Sequence, residues 1–205
     1  MNTPTEIKPL LRADARRNRE KIIEGARQVF ARSGASAQME DVARASGVGV
    51  GTVYRHFPTK EALMTELVRL NFVLFIDRAQ EGLADPGEPF EAFADVLRRN
   101  AELMADDAAV QQALMGAGPE VWAGTEAERR QLGEISQELV QRAQAVGTMR
   151  ADIDVQDIPM LMCGVCATMG NPERGYDWRR HLELAIDGLR SRPGAVGGSR
   201  GDPKP

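Results

Sequence analysis

The sequence predicts an all-α protein, in which an N-terminal three-helix helix-turn-helix domain is joined to a larger helical domain. Apolar residues recur with helical spacing along most of the chain, and no segment shows the alternation that is typical of a half-buried strand. Residues 38–63 contain two short helical patterns around a glycine turn, followed by a third pattern. The chain has 205 residues, 42% of them hydrophobic, which exceeds what such a motif requires, so a second functional part is expected.

The first short helix is predicted from one apolar stripe at helical spacing, formed by Met39, Val42, Ala43 and Ser46. Gly47 is expected to end this helix, because glycine adopts the left-handed conformation of a helix end without steric strain. Val48 should then fill the corner of the turn.

The second short helix is predicted over residues 49–56, and Pro58 ends it because a proline nitrogen cannot continue the hydrogen-bond ladder. Thr59 is expected to cap a long third helix that carries Leu63 and Leu67 at helical spacing. In a helix-turn-helix the second helix enters the DNA major groove, so this segment is interpreted as a DNA-reading element.

At these positions the chain resembles the TetR/AcrR family of one-component bacterial repressors. The matching strings follow one another in order and without gaps, and they are 41–43, 46–48, 51–57 and 60–63. The preceding helix matches through Ile22, Ile23, Ala26, Val29, Phe30 and Gly34. The resemblance covers roughly residues 16–70, about a third of the chain, and beyond it only the helical layout agrees. It implies a homodimer, a double-stranded DNA operator, a small-molecule effector and the bacterial cytoplasm.

The charge distribution supports contact with DNA even though the chain as a whole is acidic. It has 26 basic and 30 acidic residues, a net charge of -4. Residues 1–60, however, have 11 basic and 6 acidic side chains, leaving 15 and 24 for the rest. A basic N-terminal domain can bind phosphate through counterion release while the acidic remainder points away from the duplex.

The predicted organisation is a flexible basic arm over 1–13, a helix-turn-helix domain over 14–60, a helical effector-binding and dimerisation domain over 61–192, and a disordered tail over 193–205. The tail is expected from its richness in glycine and proline. No apolar stretch suggests a membrane span or a signal core, which agrees with a cytoplasmic protein without membrane partners.

Ten residues are predicted to bind DNA. Arg16 and Arg17 would touch a phosphate or the minor groove, and the resemblance assigns phosphates to the tyrosine and histidine of the second helix. The family often has a polar pair where this chain has Gly49 and Val50. Base reading therefore falls to Thr52, to a thymine methyl against Val50, and to an arginine on guanine, so specificity from this helix is expected to be modest. The full set is Arg16, Arg17, Arg44, Val50, Gly51, Thr52, Tyr54, Arg55, His56 and Lys60.

The resemblance places the effector cavity among the middle helices, where several large apolar side chains are candidates. Nine methionines favour an adaptable pocket for an apolar or amphipathic molecule, although each residue alone is more simply explained as core packing. The candidates are Phe72, Phe75, Phe93, Met104, Leu114, Met115, Trp122 and Met162.

Two late helices are predicted to form the dimer face, where those of two subunits would pair as a four-helix bundle. A repressor of this kind needs two DNA-binding domains, one for each half-site. Asp154 and Asp177 are expected to cap these helices. Their small and apolar stripes contain Met160, Cys163, Gly164, Ala167, Trp178, Leu182, Ala185, Ile186 and Leu189.

Cys163 and Cys166 form a C-x-x-C pattern without the preceding strand of a thioredoxin-like site, so packing is favoured over redox sensing. With only His56 and His181 in addition, no zinc site is indicated. No nucleophile–base pattern or phosphate-binding glycine loop is present, so no metal, cofactor or enzymatic activity is expected. The sequence therefore predicts a ligand-responsive repressor that a small apolar or amphipathic effector releases from a palindromic operator. The alternative function is a helical small-molecule binding or catalytic protein that keeps only a vestige of the DNA-reading motif.

Overall fold

A computed structural model describes residues 4–170 and 172–191, and the side chains of these residues except 4–12, 35, 115 and 172. The helices are Pro4–Ser33 (α1), Met39–Ser46 (α2), Val50–His56 (α3), Lys60–Ala84 (α4), Pro89–Asp106 (α5), Ala108–Met115 (α6), Pro119–Gly124 (α7), Glu126–Ala145 (α8), Asp157–Met169 (α9) and Trp178–Leu189 (α10).

The prediction of an all-α fold is confirmed, since the described residues form no strand beyond one isolated bridge between Met149 and Arg190. Within the same residues no helix is long and apolar enough to cross a bilayer. The tail expected over 193–205 lies outside the described part of the chain.

The chain divides into two compact units, and the division does not fall at the expected boundary after residue 60. The first unit runs to Leu74 and also includes Met104–Arg129, whereas the second contains Phe75–Leu103 and the chain from Arg130 onward. Apolar residues of the first half of α4 and of α6 belong to the same buried cluster as the helix-turn-helix core, which explains why the first unit is larger than expected.

Residues 4–13 also differ from the expectation of a flexible arm, because α1 begins at Pro4 and continues without interruption to Ser33. Proline is tolerated at a first helical position, where its missing N–H would have no partner in the helix. The arm is thus an extension of the first helix of the motif.

The crossing of α1 and α2 in the first unit is very close at one point. A Cβ atom built on Gly25 would lie 2.8 Å from the backbone nitrogen of Ser46 and 2.9 Å from its Cβ. The Ser46 hydroxyl donates to the carbonyl of Val42 at 2.7 Å, which fixes its own position. Glycine is therefore required at residue 25 for this crossing.

The second unit has its own buried cluster, to which Phe93 of α5, Val140 of α8, Val165 of α9 and Ile186 of α10 contribute. Asp177 caps α10 as predicted, since its carboxylate accepts from the backbone N–H of Arg180 at 3.1 Å.

Asp154 does not cap α9, contrary to the prediction. The helix begins only at Asp157, and the Asp154 carboxylate accepts from the N–H of Gln156 at 2.8 Å inside the preceding turn. Asp157 in turn accepts from the N–H of Asp154 at 2.9 Å. These local bonds satisfy the turn and delay the start of the helix.

Candidate nucleic-acid interface

The turn between α2 and α3 has the predicted geometry. Gly47 has a φ of 66°, in the left-handed region, and its N–H donates to the carbonyl of Arg44 at 3.4 Å. The N–H of Val48 donates to Ala43 at 3.2 Å, and the Val48 side chain packs against the core of the first unit. These contacts set the angle at which α3 leaves α2.

Helix α3 is anchored on one side and free on the other. Val53 is 0% exposed and Phe57 4%, whereas Val50 is 44% and Tyr54 43% exposed. Gly51 and Arg55 are exposed as well. A short helix with a buried anchor and an exposed opposite face can enter a groove of another molecule without disturbing the core behind it.

The exposed face of α3 carries few polar groups, and these bond to one another. The Arg55 guanidinium donates from Nη2 to the Thr52 hydroxyl at 3.0 Å and from Nε to the Gly51 carbonyl at 3.3 Å. The Tyr54 hydroxyl lies 3.5 Å from a Glu40 carboxylate oxygen, a long contact that is easily exchanged for another acceptor. Arg55 and Thr52, two predicted base-reading residues, are thereby brought together.

The other predicted cationic contacts are on exposed surface and have acidic neighbours. Arg44 pairs with Asp41 at 2.8 Å, Arg16 lies 3.8 Å from Glu20, and Arg17 pairs with Asp14. Exposed pairs of this kind contribute little to stability, so their arginines can turn to a phosphate at small cost. The start of α4 is also as expected, because the Thr59 hydroxyl caps it by accepting from the N–H of Ala62 at 3.1 Å.

Glu66 of α4, which the sequence analysis did not single out, is buried and holds two arginines. Arg69 donates to it through Nε at 3.0 Å and Nη2 at 2.8 Å, and Arg19 of α1 lies 2.7 Å from the same carboxylate. Burial by itself would raise the pKa of Glu66, but the hydrogen bonds from Arg69 and Arg19 outweigh burial and hold this pKa below its usual value. A carboxylate at helical spacing between Leu63 and Leu70 was the signal in the sequence.

The residues predicted to line an effector cavity fall into both units. In the first, Phe72 and Leu114 pack against the core, and Met104 is buried, with its sulfur accepting from the Asn71 amide at 3.2 Å. Trp122 instead lies at the surface, 36% exposed, with the Arg129 guanidinium 5.3 Å from its ring centroid.

In the second unit, Phe93 is fully buried, Met162 packs against the core, and Phe75 is half-buried. Met115 belongs to the first unit, and its side chain is outside the described part. Asn100 of α5 was missed from the sequence: it is only 8% exposed, and its Oδ1 has no hydrogen-bond partner among the described residues.

The α9 stripe predicted for the dimer face is exposed in the single chain. Met160 is 64% exposed, and Cys163, Gly164 and Ala167 are exposed at the same helical spacing. Leu184 of α10, which was not predicted, is 53% exposed.

The α10 part of that prediction needs correction. Leu182, Ile186 and Leu189 are at most 3% exposed because they fill the core of the second unit of their own chain, so they do not face a second subunit. Trp178 and Ala185 are half-buried.

Both cysteines of the C-x-x-C pattern lie on α9. Cys163 is exposed and Cys166 half-buried, and both are free thiols. Burial, together with the nearby Cys163, raises the pKa of Cys166 to about 11, so its thiol stays protonated at neutral pH. In the described residues no three His, Cys, Asp or Glu side chains are grouped as metal ligands.

Two family models match the chain. One, described as bacterial regulatory proteins of the tetR family, matches residues 22–67, and the other, described as the C-terminal domain of SbtR-like transcriptional regulators, matches residues 88–191.

Similar proteins are regulators over nearly their whole length. A TetR transcription regulatory protein from Mycobacterium vanbaalenii is 36% identical, covering 88% of this chain and 99% of that one, with a TM-score of 0.60. UidR, an HTH-type transcriptional regulator of Escherichia coli, is 25% identical over 91% of this chain and 96% of its own. Bacillus subtilis FadR, solved in complex with stearoyl-CoA, has the same fold: the TM-score is 0.69 at 23% identity, with 83% of this chain and 98% of that chain covered.

Proposed function

Because the chain belongs to the TetR family of bacterial transcriptional regulators, we propose that it is a repressor that binds a palindromic operator as a homodimer and is released by a small apolar or amphipathic effector. Members of this family are DNA-binding transcription factors that act as dimers and are not enzymes. Repression of bacterial genes implies a place in the cytoplasm, where operator DNA lies.

The exposed face of α3 is the observation that carries the proposal. Val53 and Phe57 fix the helix, while Val50, Tyr54 and Arg55 are free to meet a duplex. Basic side chains outnumber acidic ones, 11 to 6, in the first 60 residues, which favours phosphate contact around this helix. Arg55, lying along the first turn beside Thr52, is placed to read a guanine edge, whereas Arg44 is paired with Asp41.

Selection from a pool of random duplexes of about 40 base pairs, long enough for two half-sites one helical turn apart, tests the proposal. Repeated capture and sequencing should yield an inverted repeat, and affinity for it should fall steeply with salt. A double variant, Tyr54→Ala with Arg55→Ala, should no longer enrich an inverted repeat from the pool. Recovery of unrelated duplexes, with no salt dependence, would favour the alternative of a helical binding or catalytic protein with a vestigial motif.

The exposed stripe of α9 supports the proposed homodimer. Met160, Cys163, Gly164 and Ala167 are apolar or small, lie on one helix face and are accessible, so a second copy can pack closely there. This proposed interface keeps the α9 half of the one expected from the sequence and leaves out Leu182, Ile186 and Leu189 of α10, which are already used inside the chain.

An effector in the second unit is supported by Asn100. A buried carbonyl oxygen without a partner is unfavourable, and a ligand with a hydroxyl or N–H would satisfy it. Around it α5 is apolar, since Phe93 and Leu97 lie on the same helix face and are buried. A ligand that binds the DNA-free form ~3 kcal/mol better would weaken operator binding roughly 150-fold.

Paired lipids test the effector, beginning with stearoyl-CoA because FadR was solved with it. Stearyl alcohol and methyl stearate then present the same chain with and without a hydrogen-bond donor. We expect the alcohol to raise Tm and release DNA better than the ester, and Asn100→Leu to remove the difference. An ester as effective as the alcohol would leave Asn100 without an anchoring role, and no effect of any of the three would argue against a lipid effector.

A further inference from the structure

The first turn of α3 contains two glycines that the fold does not require. Gly49 has φ -66° and ψ 143°, a conformation open to every residue, and Gly51 has no positive φ. A Cβ atom built at either position meets no atom of the described residues within 4 Å, apart from the immediate backbone of the helix. Gly47 differs, because its left-handed φ of 66° does favour glycine.

Both glycines are unfavourable for the isolated protein. Glycine inside a helix loses more chain entropy on folding than alanine does, and this applies to Gly51. Gly49 is the N-cap of α3 and offers no side-chain acceptor to the free N–H groups, which serine or aspartate would provide. The folded chain therefore gives no reason for glycine at these two positions.

Their surroundings indicate what that reason is. Gly49 and Gly51 are exposed and flank Val50, which is itself 44% exposed. Gly49, Val50 and Gly51 have no side chain that makes a hydrogen bond to a base, and the neighbouring Thr52 hydroxyl already accepts from Arg55. A bare backbone next to one apolar side chain can approach a surface more closely than any turn covered by Cβ atoms.

We propose that Gly49 and Gly51 bring the backbone of α3 into van der Waals contact with the floor of the major groove, where Val50 packs against a thymine methyl. This inference rests on the proposed DNA-binding function. Recognition at this turn then depends on shape and on a methyl group, and the operator should have thymine at the base pair facing Val50.

Variants that add a Cβ at these positions distinguish an effect on DNA binding from an effect on folding. Gly51→Ala and Gly49→Ser should each raise Tm by about 1–4 °C, because both changes favour the helix. Each should nevertheless weaken binding to the selected operator roughly 5- to 150-fold, the range of a mismatched base pair. Gly133→Ala is the matched control: Gly133 is inside α8 with open space around its Cβ, so Tm should rise with no loss of affinity.

A second measurement uses the DNA itself. Replacing the thymine that faces Val50 with uracil removes only the methyl group, and affinity of the parent protein should fall several-fold, while Val50→Ala should bind both duplexes equally. Unchanged operator affinity of Gly51→Ala and Gly49→Ser would overturn the proposal, as would a parent indifferent to uracil at every thymine of the half-site. A lower Tm in both variants would instead assign the glycines to folding. If the parent itself shows no salt-dependent DNA binding, the proposed function fails first.

Discussion

Tyr54 and His56 are adjacent to the free face of α3 and carry groups that can donate to a phosphate oxygen. Tyr54→Phe and His56→Ala should each weaken binding to operator and scrambled duplex by the same factor, because phosphate contacts position a protein without specifying sequence. Lys60→Ala should also lower the slope of log affinity against log salt by about one per subunit. Fluorescence titration over a salt series measures both effects.

Arg130→Ala is the control for these variants, since Arg130 is an exposed cation of α8 paired only weakly with Glu134 at 3.9 Å. It removes one positive charge from the acidic part of the chain and should leave both affinities unchanged. A Tyr54 or His56 variant that binds scrambled DNA as well as the parent would take that residue out of the interface.

Cys163 and Cys166 should not act as a peroxide switch. Burial raises the pKa of Cys166 to about 11, so this thiol supplies almost no thiolate at neutral pH to close a disulfide with Cys163. We expect operator affinity to be insensitive to peroxide both in the parent and in Cys163→Ser/Cys166→Ser. DNA release on oxidation that disappears in the double variant would contradict this expectation.

At the scale of helices, Glu66 links α1 to α4 through Arg19 and Arg69. The pKa of Glu66 is lowered in the folded protein, so its carboxylate stabilises the fold. This stabilisation is complete above the ordinary carboxyl pKa and is lost as pH falls through the lowered pKa. Glu66→Gln should cost about 1–3 kcal/mol at pH 7, since Arg19 and Arg69 then lose this carboxylate and Arg69 keeps, among the described residues, only its longer pair with Glu128, at 3.6 Å. Below about pH 4 the difference should shrink, because the parent is protonated too.

Thermal unfolding of both proteins between neutral pH and pH 3 measures this difference. Glu134→Gln is a matched control, because Glu134 is exposed and its pair with Arg130 is long, at 3.9 Å. The control should have the Tm of the parent throughout. An equal loss in Glu66→Gln at every pH would show that shape, and not charge, is what matters at this position.

The helices that local signals define were predictable from sequence. Gly47, Pro58 and Thr59 end or begin helices through their own backbone and side-chain chemistry, and the structure has them in those roles. The prediction for Asp154 is wrong because two aspartates bond within the same turn, and spacing alone does not decide between them.

At the scale of the whole molecule, an exposed α9 stripe leads to a test of assembly. Ala167→Glu should convert a dimer to a monomer, since a charge buried in an apolar dimer interface costs several kcal/mol. Operator binding should be abolished as well, because the monomer has only one DNA-binding domain. Sedimentation gives the mass, and circular dichroism should show an unchanged fold. Val146→Glu, at a 57% exposed position in the turn after α8, should stay dimeric.

Leu189→Glu separates the corrected interface from the one expected from sequence. Because Leu189 is only 3% exposed within its own chain, this change should lower Tm strongly before it affects association. A folded monomer of Leu189→Glu with the Tm of the parent would show that the large side chains of α10 do form the dimer interface.

What sequence could not predict at this scale is which apolar face remains uncovered. The α10 pattern of Leu182, Ile186 and Leu189 and the α9 pattern around Met160 are both regular apolar stripes, and only the fold shows that the former is used within the chain. The same holds for Glu66 and Arg19, whose partnership joins residues far apart in sequence. Long-range packing decides these assignments, and spacing does not encode it.

The close crossing at Gly25 makes a forecast for genetics. Every other amino acid has a Cβ, which would lie 2.8 Å from the Ser46 nitrogen, so even alanine forces the two helices to move. In a genetic screen for loss of transcriptional regulation, substitutions of many kinds should therefore be recovered at residue 25. A map of these alleles on the sequence alone would assign the helix crossing to the DNA contact, although such substitutions act by forcing α1 and α2 apart.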